Sequence, residues 1–182
     1  FSGTGSLVKT GSNQLTLSGS NVYTGGTTIN AGRLIATIGS ALGTEAITTG
    51  VGAILELNFS DDSALSNVLA GAGTLEKTGL GTASLTGSGS TIGDVLVSTG
   101  KLSLSQTGAF NVASYQTSAG AVTDIGDTTQ LLVANDFVQS LGSELHLSLG
   151  GGGIPITAET ADLNGILFID GFTTSTPTQA SS

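Results

Sequence analysis

The chain has 182 residues, a net charge of −9, and 9% charged residues against 38% hydrophobic ones. Its four basic residues are too few for the clustered Lys and Arg that a nucleic-acid partner requires. No apolar run approaches the roughly 20 residues of a membrane-spanning helix. Regularly spaced aliphatic residues argue against disorder, so the composition predicts a folded chain with an apolar core.

Cysteine and methionine are both absent, and position 1 is Phe. The missing Met indicates an excerpt from a longer chain. The absence of cysteine suits a protein that crosses the periplasm unfolded, where thiols are oxidised to disulfides.

Short runs that alternate apolar and polar residues predict β-strands along the whole chain, because alternation places one side chain inward and the next outward. Gly, Ser, Thr or Asn bounds each run. The clearest runs are residues 15–17, 95–97, 102–104 and 145–149. Only residues 61–69 and 128–137 allow a helix, and both passages are short. The predicted fold class is all-β.

The chain contains an internal repeat at a fixed offset. Residues 3–34 align without a gap on residues 71–102, and 12 of the 32 paired positions are identical. Short strands with glycine-bearing turns allow a sandwich, a closed barrel or a β-solenoid, but a sandwich gives no reason for a gapless internal repeat. With roughly 22 to 23 residues in each coil, the offset would correspond to three coils.

The pattern changes after about residue 105. Residues 106–172 contain no third copy of the repeat, acids replace bases, and the predicted strands lengthen, as at residues 143–149 and 163–169. The last ten residues are polar, with one Pro and no strand pattern. They are predicted to form a linker or a frayed tail.

A Lys-Thr-Gly phrase occurs in each copy of the repeat. In the first copy, Ser6 and Lys9 also have the SxxK spacing, so the segment imitates two signatures of serine β-lactamases. Those signatures use two different lysines, one on a helix and one on a distant strand. Lys77 begins the second phrase without a serine three residues before it. The phrase is therefore predicted to belong to a turn of the repeat.

Two further groups invite a catalytic interpretation. His146 is the only histidine, so a Ser-His-Asp triad or a histidine metal site would have to use it. It alternates with Leu145 and Leu147, which predicts an outward, solvated strand position. Asp61 and Asp62 are paired carboxylates of the kind used in acid–base chemistry or calcium binding. With no other acid nearby in sequence, they predict a turn.

The remaining motifs are weak. Asn58 begins an Asn-Phe-Ser sequon, a pattern that is often fortuitous. Four glycines at residues 150–153 lack the following Lys and helix of a phosphate loop, which predicts a strand connection. The glycine-rich turns lack the aspartates of the calcium-binding nonapeptide. The sequence therefore predicts no catalytic, cofactor-binding or metal-binding residue, and no enzyme.

Residues 3–35 resemble the passenger-associated transport repeat of bacterial autotransporters. They contain its G-x-G-x-L-x-K-x-G opening, its L-x-L-x-G middle, its N-x-Y-x-G-G-T turn and its final A-G-x-L. The copy that begins at Gly71 departs from this pattern. Residues 89–91 read Gly-Ser-Thr where the first copy has Asn-Val-Tyr, and residues 94–95 read Asp-Val where it has Gly-Thr.

The later part of the chain resembles the autochaperone region of the same family, which lies next to the membrane barrel. The similar phrases are residues 115–116, 137–139, 142–147 and 161–167. The resemblance depends on the order of these phrases and on their position after the repeats.

Together the resemblances imply a right-handed parallel β-helix with a C-terminal β-sandwich-like cap. Residues 1–105 would form the stem, with transport repeats at 3–35 and 71–103. Residues 106–172 would form the autochaperone-like cap, and residues 173–182 a linker toward an outer-membrane barrel that is absent here.

The implied function is non-catalytic: a folding and secretion-assisting segment of a surface-exposed or secreted passenger from a Gram-negative bacterium. The implied partners are the chain's own barrel and the outer-membrane assembly and periplasmic chaperone machinery. No cofactor is implied. The alternative is adhesion or self-association through outward Ser, Thr and Asn ladders, on a host surface or between bacteria, with a contribution to virulence.

Overall fold

The computed structural model describes residues 1–150 and 155–171. Within these ranges the chain forms short strands and one 3₁₀ turn at Gly39–Leu42, and no helix is long and apolar enough to cross a membrane. The strands are, in chain order, β1 Ser2–Gly3, β2 Leu7–Lys9, β3 Gln14–Leu17, β4 Val22–Tyr23, β5 Thr27–Ile29, β6 Arg33–Ala36, β7 Ile47–Thr49, β8 Ile54–Asn58, β9 Ser63–Leu65, β10 Leu69–Gly71, β11 Thr74–Thr78, β12 Thr82–Leu85, β13 Thr91–Val97, β14 Lys101–Leu104, β15 Gly108–Thr117, β16 Val122–Ile125, β17 Thr129–Val133, β18 Asp136–Gln139, β19 Glu144–Ser148, β20 Ile156–Thr157, β21 Thr160–Leu163 and β22 Ile166–Asp170.

Each strand pairs in parallel with the strand one coil away, so the fold is a parallel β-solenoid of about 8 turns. One column of partners shows the stacking, with each coil contributing one member. Its members are Leu15, Leu34, Leu55, Leu75, Val95, Tyr115, Phe137 and Ala161. The predicted all-β class and parallel solenoid are confirmed.

Three main sheets form the faces of the solenoid, with a two-stranded sheet at the N-terminal end. The first face begins with β2, β5, β7 and β10; the second runs through the ten-stranded sheet that contains β3 and β21; the third runs from β9 to β22. The predicted strands at residues 15–17, 95–97 and 102–104 lie within β3, β13 and β14, and the one at 145–149 overlaps β19, which ends at Ser148.

The core is a stack of inward aliphatic side chains. Leu34, Leu55 and Leu75 lie in one column and are fully buried. Burial of each such side chain contributes about 1.5–3 kcal/mol to folding. Toward the C-terminal end an aromatic pair continues the column, because the rings of Tyr115 and Phe137 stack with centroids 5.5 Å apart. Each coil therefore covers the apolar side chains of the next.

The offset between the two copies of the repeat does not correspond to three coils, so that prediction is wrong. On the first face, Leu7 pairs with Thr27, Thr27 with Ile47 and Ile47 with Leu69, so Leu69 lies three coils after Leu7. The counterpart of Leu7 in the second copy is Leu75, which comes later in the chain than Leu69. The coils here are shorter than expected because their corners need few residues. After β10 the chain turns a corner and reaches Leu75 on the second face. The two copies thus lie on neighbouring faces.

Two other strand predictions need correction. Residues 61–69 and 128–137, which allow a helix, contain β9, the first residue of β10, β17 and the start of β18 instead. The coils on either side supply hydrogen-bond partners to these extended segments. Residues 163–169 are not one long strand, because Asn164 and Gly165 form a corner between β21 and β22. A Cβ at Gly165 would lie 2.5 Å from the Ser143 carbonyl oxygen, so the corner packs tightly against the previous coil.

The strands after residue 105 continue the same sheets in parallel register. The described part of residues 106–172 therefore adds further coils to the solenoid. The division near residue 105 and the sandwich-like cap stay predictions, and the predicted linker at 173–182 lies outside the described residues.

One interior side chain lacks hydrogen-bond partners. Gln106 is buried, and both polar atoms of its carboxamide are unpaired within the described part of the chain. An unsatisfied buried polar group lowers stability by about 1–3 kcal/mol. We expect Gln106→Leu to raise the free energy of unfolding by roughly that amount, measured by chemical denaturation. A loss of stability in this variant would contradict the assignment.

Candidate functional site

The Lys-Thr-Gly phrase of each repeat forms a corner in which a buried lysine holds the turn; we name residues 9–13 and 77–81 the lysine corners. Lys9 ends β2 with its side chain directed inward. Its ammonium nitrogen donates hydrogen bonds to the carbonyl oxygens of Thr10 at 3.0 Å, Gly11 at 2.7 Å and Ala31 at 3.0 Å. Thr10 and Gly11 belong to its own corner, whereas Ala31 belongs to the next coil.

The second lysine corner repeats this geometry. The Lys77 ammonium donates to the carbonyl oxygens of Thr78 at 2.6 Å, Gly79 at 2.8 Å and Thr99 at 3.3 Å. Thr99 follows Lys77 at the same spacing as Ala31 follows Lys9. The two copies thus use the same inter-coil contact on different faces of the solenoid.

Burial changes the titration of this lysine. The Lys77 side chain is fully buried, and burial lowers its pKa from the ordinary 10.5 to about 8. Below about pH 8 the Lys77 ammonium is charged. It donates its hydrogen bonds to three backbone carbonyl oxygens. The lysine is therefore a structural cation enclosed by backbone dipoles.

The pH dependence of stability follows from this lowered pKa. Between about pH 8 and the unfolded-state value of 10.5, the unfolded chain binds more protons at Lys77 than the folded chain. We expect the folded state to gain stability as pH rises through this window. Denaturation of the wild type and of Lys77→Met, from about pH 8 to about pH 10, isolates the effect. Equal slopes in the two proteins would contradict it.

Glycines stack directly above one another at the lysine corners. Gly32 has a φ of +71° and Gly100 a φ of +68°. A Cβ at Gly32 would lie 2.5 Å from the Gly11 carbonyl oxygen, and one at Gly100 would lie 2.3 Å from that of Gly79. Only glycine fits this positive φ and this close approach. The same carbonyl oxygens accept the lysine hydrogen bonds, so lysine and glycine define one motif.

An ion pair on the outer surface accompanies each lysine corner. Arg33 Nη1 lies 2.5 Å from Glu56 Oε2 and 2.6 Å from Glu76 Oε2, on the next two coils. The hydrogen bond to Glu76 is the largest cause of the raised pKa of Arg33. Lys101, the counterpart of Arg33 in the second copy, lies 3.0 Å from Asp124. These partly exposed pairs align neighbouring coils and contribute little stability individually.

The β-lactamase interpretation of Ser6 and Lys9 has no geometric support. The Lys9 ammonium is occupied by three carbonyl oxygens, and Ser6 is exposed. The prediction that the Lys-Thr-Gly phrase belongs to a turn is confirmed only in part. Lys9 ends β2, with Thr10 and Gly11 after it, whereas Lys77 and Thr78 still belong to β11 and only Gly79 follows the strand.

His146 lies in β19 with a half-buried side chain. Its Nε2 is 3.0 Å from Glu144 Oε2, and its ring contacts that of Phe168 at a centroid distance of 4.5 Å. Ser103, Asp124 and His146 are in register on neighbouring strands. However, the Ser103 hydroxyl donates to Asp124 at 3.3 Å, and Asp124 lies between Ser103 and His146. In a catalytic triad the histidine would lie between the serine and the acid.

The paired carboxylates organise a turn, as predicted. Asp62 Oδ1 accepts a hydrogen bond from the backbone N–H of Thr82 at 2.7 Å, which is the main cause of its lowered pKa. Asp61 accepts one from Ser60 at 3.0 Å. Within residues 1–150 and 155–171, no group of three His, Cys, Asp or Glu side chains could hold a metal ion.

The two remaining motifs add no chemistry. Asn58 is exposed at the end of β8 and its amide donates to Glu56 at 3.4 Å, while Phe59 of the sequon is fully buried. Of the four glycines at residues 150–153, only Gly150 is among the described residues, and the predicted connection lies outside them.

Comparison with family models identifies the repeat. Residues 7–36 match the model described as the passenger-associated-transport-repeat, a segment that includes Lys9, Gly32 and Arg33. Comparisons with curated proteins and with solved structures give no match. The family match and the parallel β-solenoid together fit a segment of an autotransporter passenger. They point to a structural passenger region and suggest a surface or secreted location.

Proposed function

We propose that this chain is a non-catalytic segment of a surface-exposed autotransporter passenger, in which the C-terminal coils act as an autochaperone. Residues 106–172 fold first and template the coils stacked on them during outer-membrane translocation. The proposed partners are the passenger's own membrane barrel and the assembly and periplasmic chaperone machinery that deliver the chain.

The direction of the lysine contacts is the observation that supports this order. Lys9 and Lys77 each reach a carbonyl oxygen of the coil on their C-terminal side, at Ala31 and Thr99. A buried ammonium is unfavourable until its hydrogen-bond acceptors are in place. Each lysine corner is therefore completed only when the next C-terminal coil has formed, which favours growth from the C-terminal end.

Coil stacking gives this growth a source of free energy. In a solenoid each coil contacts its neighbours, so folding propagates stepwise once a first unit exists. Every added coil buries inward residues such as Leu55 and Leu75. The free energy of coil addition would then bias the chain outward through the barrel.

The experiment is a surface-display assay of the chain fused to an autotransporter barrel. Removal of residues 137–171 is expected to abolish protease resistance of the stem and to reduce display. The matched control removes residues 55–74, one coil of the stem in register, since Leu55 pairs with Leu75. The control should keep a resistant stem. A resistant, displayed stem after the C-terminal deletion would refute templating.

An adhesive role is a second candidate, supported by apolar side chains at the corners. Val51, Leu80 and Leu141 are 85%, 86% and 79% exposed. Replacing all three by Ser should reduce cell aggregation or attachment if these corners form the contact surface. Unchanged aggregation and attachment would exclude this role for the corners.

A further inference from the structure

A groove of about 380 Å³ crosses three neighbouring coils on the outer surface of the second face. Strands β13, β15 and β18 form it, and β11 and β21 pair with the outermost two of them, so a further coil lies on each side. The groove therefore does not depend on where the chain begins or ends. We name it the second-face groove; its lining includes Asp94, Leu96, Ser114, Gln116, Asp136 and Val138.

One side of the second-face groove is a column of two carboxylates with a hydroxyl between them. Asp94 pairs with Ser114, and Asp136 directly precedes Phe137, the partner of Tyr115. The three positions therefore follow one another in successive coils. Because neighbouring strands lie about 4.8 Å apart, the backbones of the two acids are about 9.6 Å apart, with the serine midway.

No cation of the chain neutralises these two carboxylates. Within the described residues neither Asp94 nor Asp136 forms an ion pair. Asp136 accepts one hydrogen bond, from the Thr160 hydroxyl at 2.5 Å, which leaves its charge uncompensated. The chain has four basic residues: two lie in the lysine corners, and Arg33 and Lys101 pair with other acids. A cation that neutralises the groove must come from outside the chain.

The other side of the second-face groove is largely aliphatic. Leu96, Gln116 and Val138 are in register on successive coils, and the leucine and valine side chains are half-buried. A ligand that fits both sides has positive groups spaced by methylene segments. One divalent metal ion does not fit, because its oxygen ligands must lie within about 2.6 Å of it and the two acids are too far apart.

The spacing between coils selects the length of the methylene segments. A three-carbon spacer separates two amine nitrogens by four bonds, which span about 5 Å when extended. This distance matches the separation of about 4.8 Å between neighbouring strands. Three ammonium groups joined by two such spacers would therefore meet the two carboxylates and the hydroxyl in turn.

We propose that the second-face groove binds a linear polyamine with three-carbon spacers. Its terminal ammonium groups pair with Asp94 and Asp136, its central ammonium donates to the Ser114 hydroxyl, and its methylene groups lie against Leu96 and Val138. Both acids are exposed, so binding is weak and decreases as salt is added. The proposal is independent of the autochaperone role.

The first test is a titration of the ¹⁵N-labelled full chain with norspermidine at low ionic strength, followed by amide chemical shifts. The largest shifts are expected in β13, β15 and β18. Asp94→Asn and Asp136→Asn should each raise the dissociation constant about 2- to 5-fold, and the double variant about 4- to 25-fold. The matched control, Asp61→Asn/Asp127→Asn, removes the same charge from exposed positions outside the groove and should bind like the wild type.

A second titration uses only the wild type, so it does not depend on the folding of a variant. Bis(hexamethylene)triamine has the same three ammonium groups, but its six-carbon spacers do not match the coils. It should bind at least about 3-fold more weakly than norspermidine. Equal affinity for the two amines, shifts spread over the whole acidic surface, or unchanged affinity in the Asp94/Asp136 double variant would overturn the proposal.

Discussion

Lys77→Met is expected to lower the free energy of unfolding by about 1–3 kcal/mol. Methionine keeps much of the side-chain volume but removes the three hydrogen bonds to Thr78, Gly79 and Thr99. The carbonyl oxygens of the half-buried Thr78 and Gly79 and of the exposed Thr99 then lose their lysine donor, and each acceptor that stays buried without a donor has a penalty of about 1–3 kcal/mol. Removal of the ammonium, whose desolvation lowers its pKa, offsets part of this loss. Chemical denaturation near neutral pH measures the change.

The control for this variant is Lys101→Met, which removes an equal charge from the outer surface. Lys101 is partly exposed and pairs with Asp124, so its loss should change stability by no more than about 1 kcal/mol. Similar losses in the two variants would show that net charge, and not the corner geometry, determines the effect. Such a result would contradict the structural role of the lysine corners.

Gly100→Ala is expected to destabilise the fold by about 3 kcal/mol or more, for two combined reasons. Its φ of +68° is unfavourable for alanine. The added Cβ would also lie 2.3 Å from the Gly79 carbonyl oxygen and 2.9 Å from Lys77 Nζ. Relief of this overlap would require the two coils to separate at the lysine corner. Thermal and chemical denaturation of the variant measure the loss.

Gly120→Ala separates the two reasons. Gly120 has a similar φ of +77°, but its Cβ would meet nothing within 4 Å. This variant should lose about 1–2 kcal/mol, the conformational penalty alone. The difference between the two alanine variants then reports the contact between stacked corners. No difference would mean that the coils can separate there without loss.

The sequence contains the signal for the buried lysines, although the Lys-Thr-Gly phrase by itself predicts only a turn. Leu75 and Lys77 are two residues apart in one strand, so alternation places both inward. Leu7 and Lys9 have the same spacing in β2. An inward lysine is unusual because its charge needs buried acceptors, and its recurrence in the second copy marks it as part of the repeat.

Contacts between distant coils were harder to predict. Arg33 meets Glu76 across two coils, and that pairing depends on the length of every coil between them. On the first face, the steps from Leu7 to Thr27 and from Thr27 to Ile47 are shorter than the coil length expected from the repeat. This difference in coil length changes which outward side chains lie next to each other on adjacent coils. Alternation defines which residues face inward, but corner lengths decide which residues are neighbours in adjacent coils.

The order of folding is the central claim of the proposed function, and pulse-labelled hydrogen exchange during refolding of the whole chain measures it most directly. Amides of β16 to β19 are predicted to become protected before those of β5 to β8, with the lysine corner of Lys77 protected before that of Lys9. Protection that appears first in β5 to β8, or in all strands at the same time, would contradict templating from the C-terminal coils.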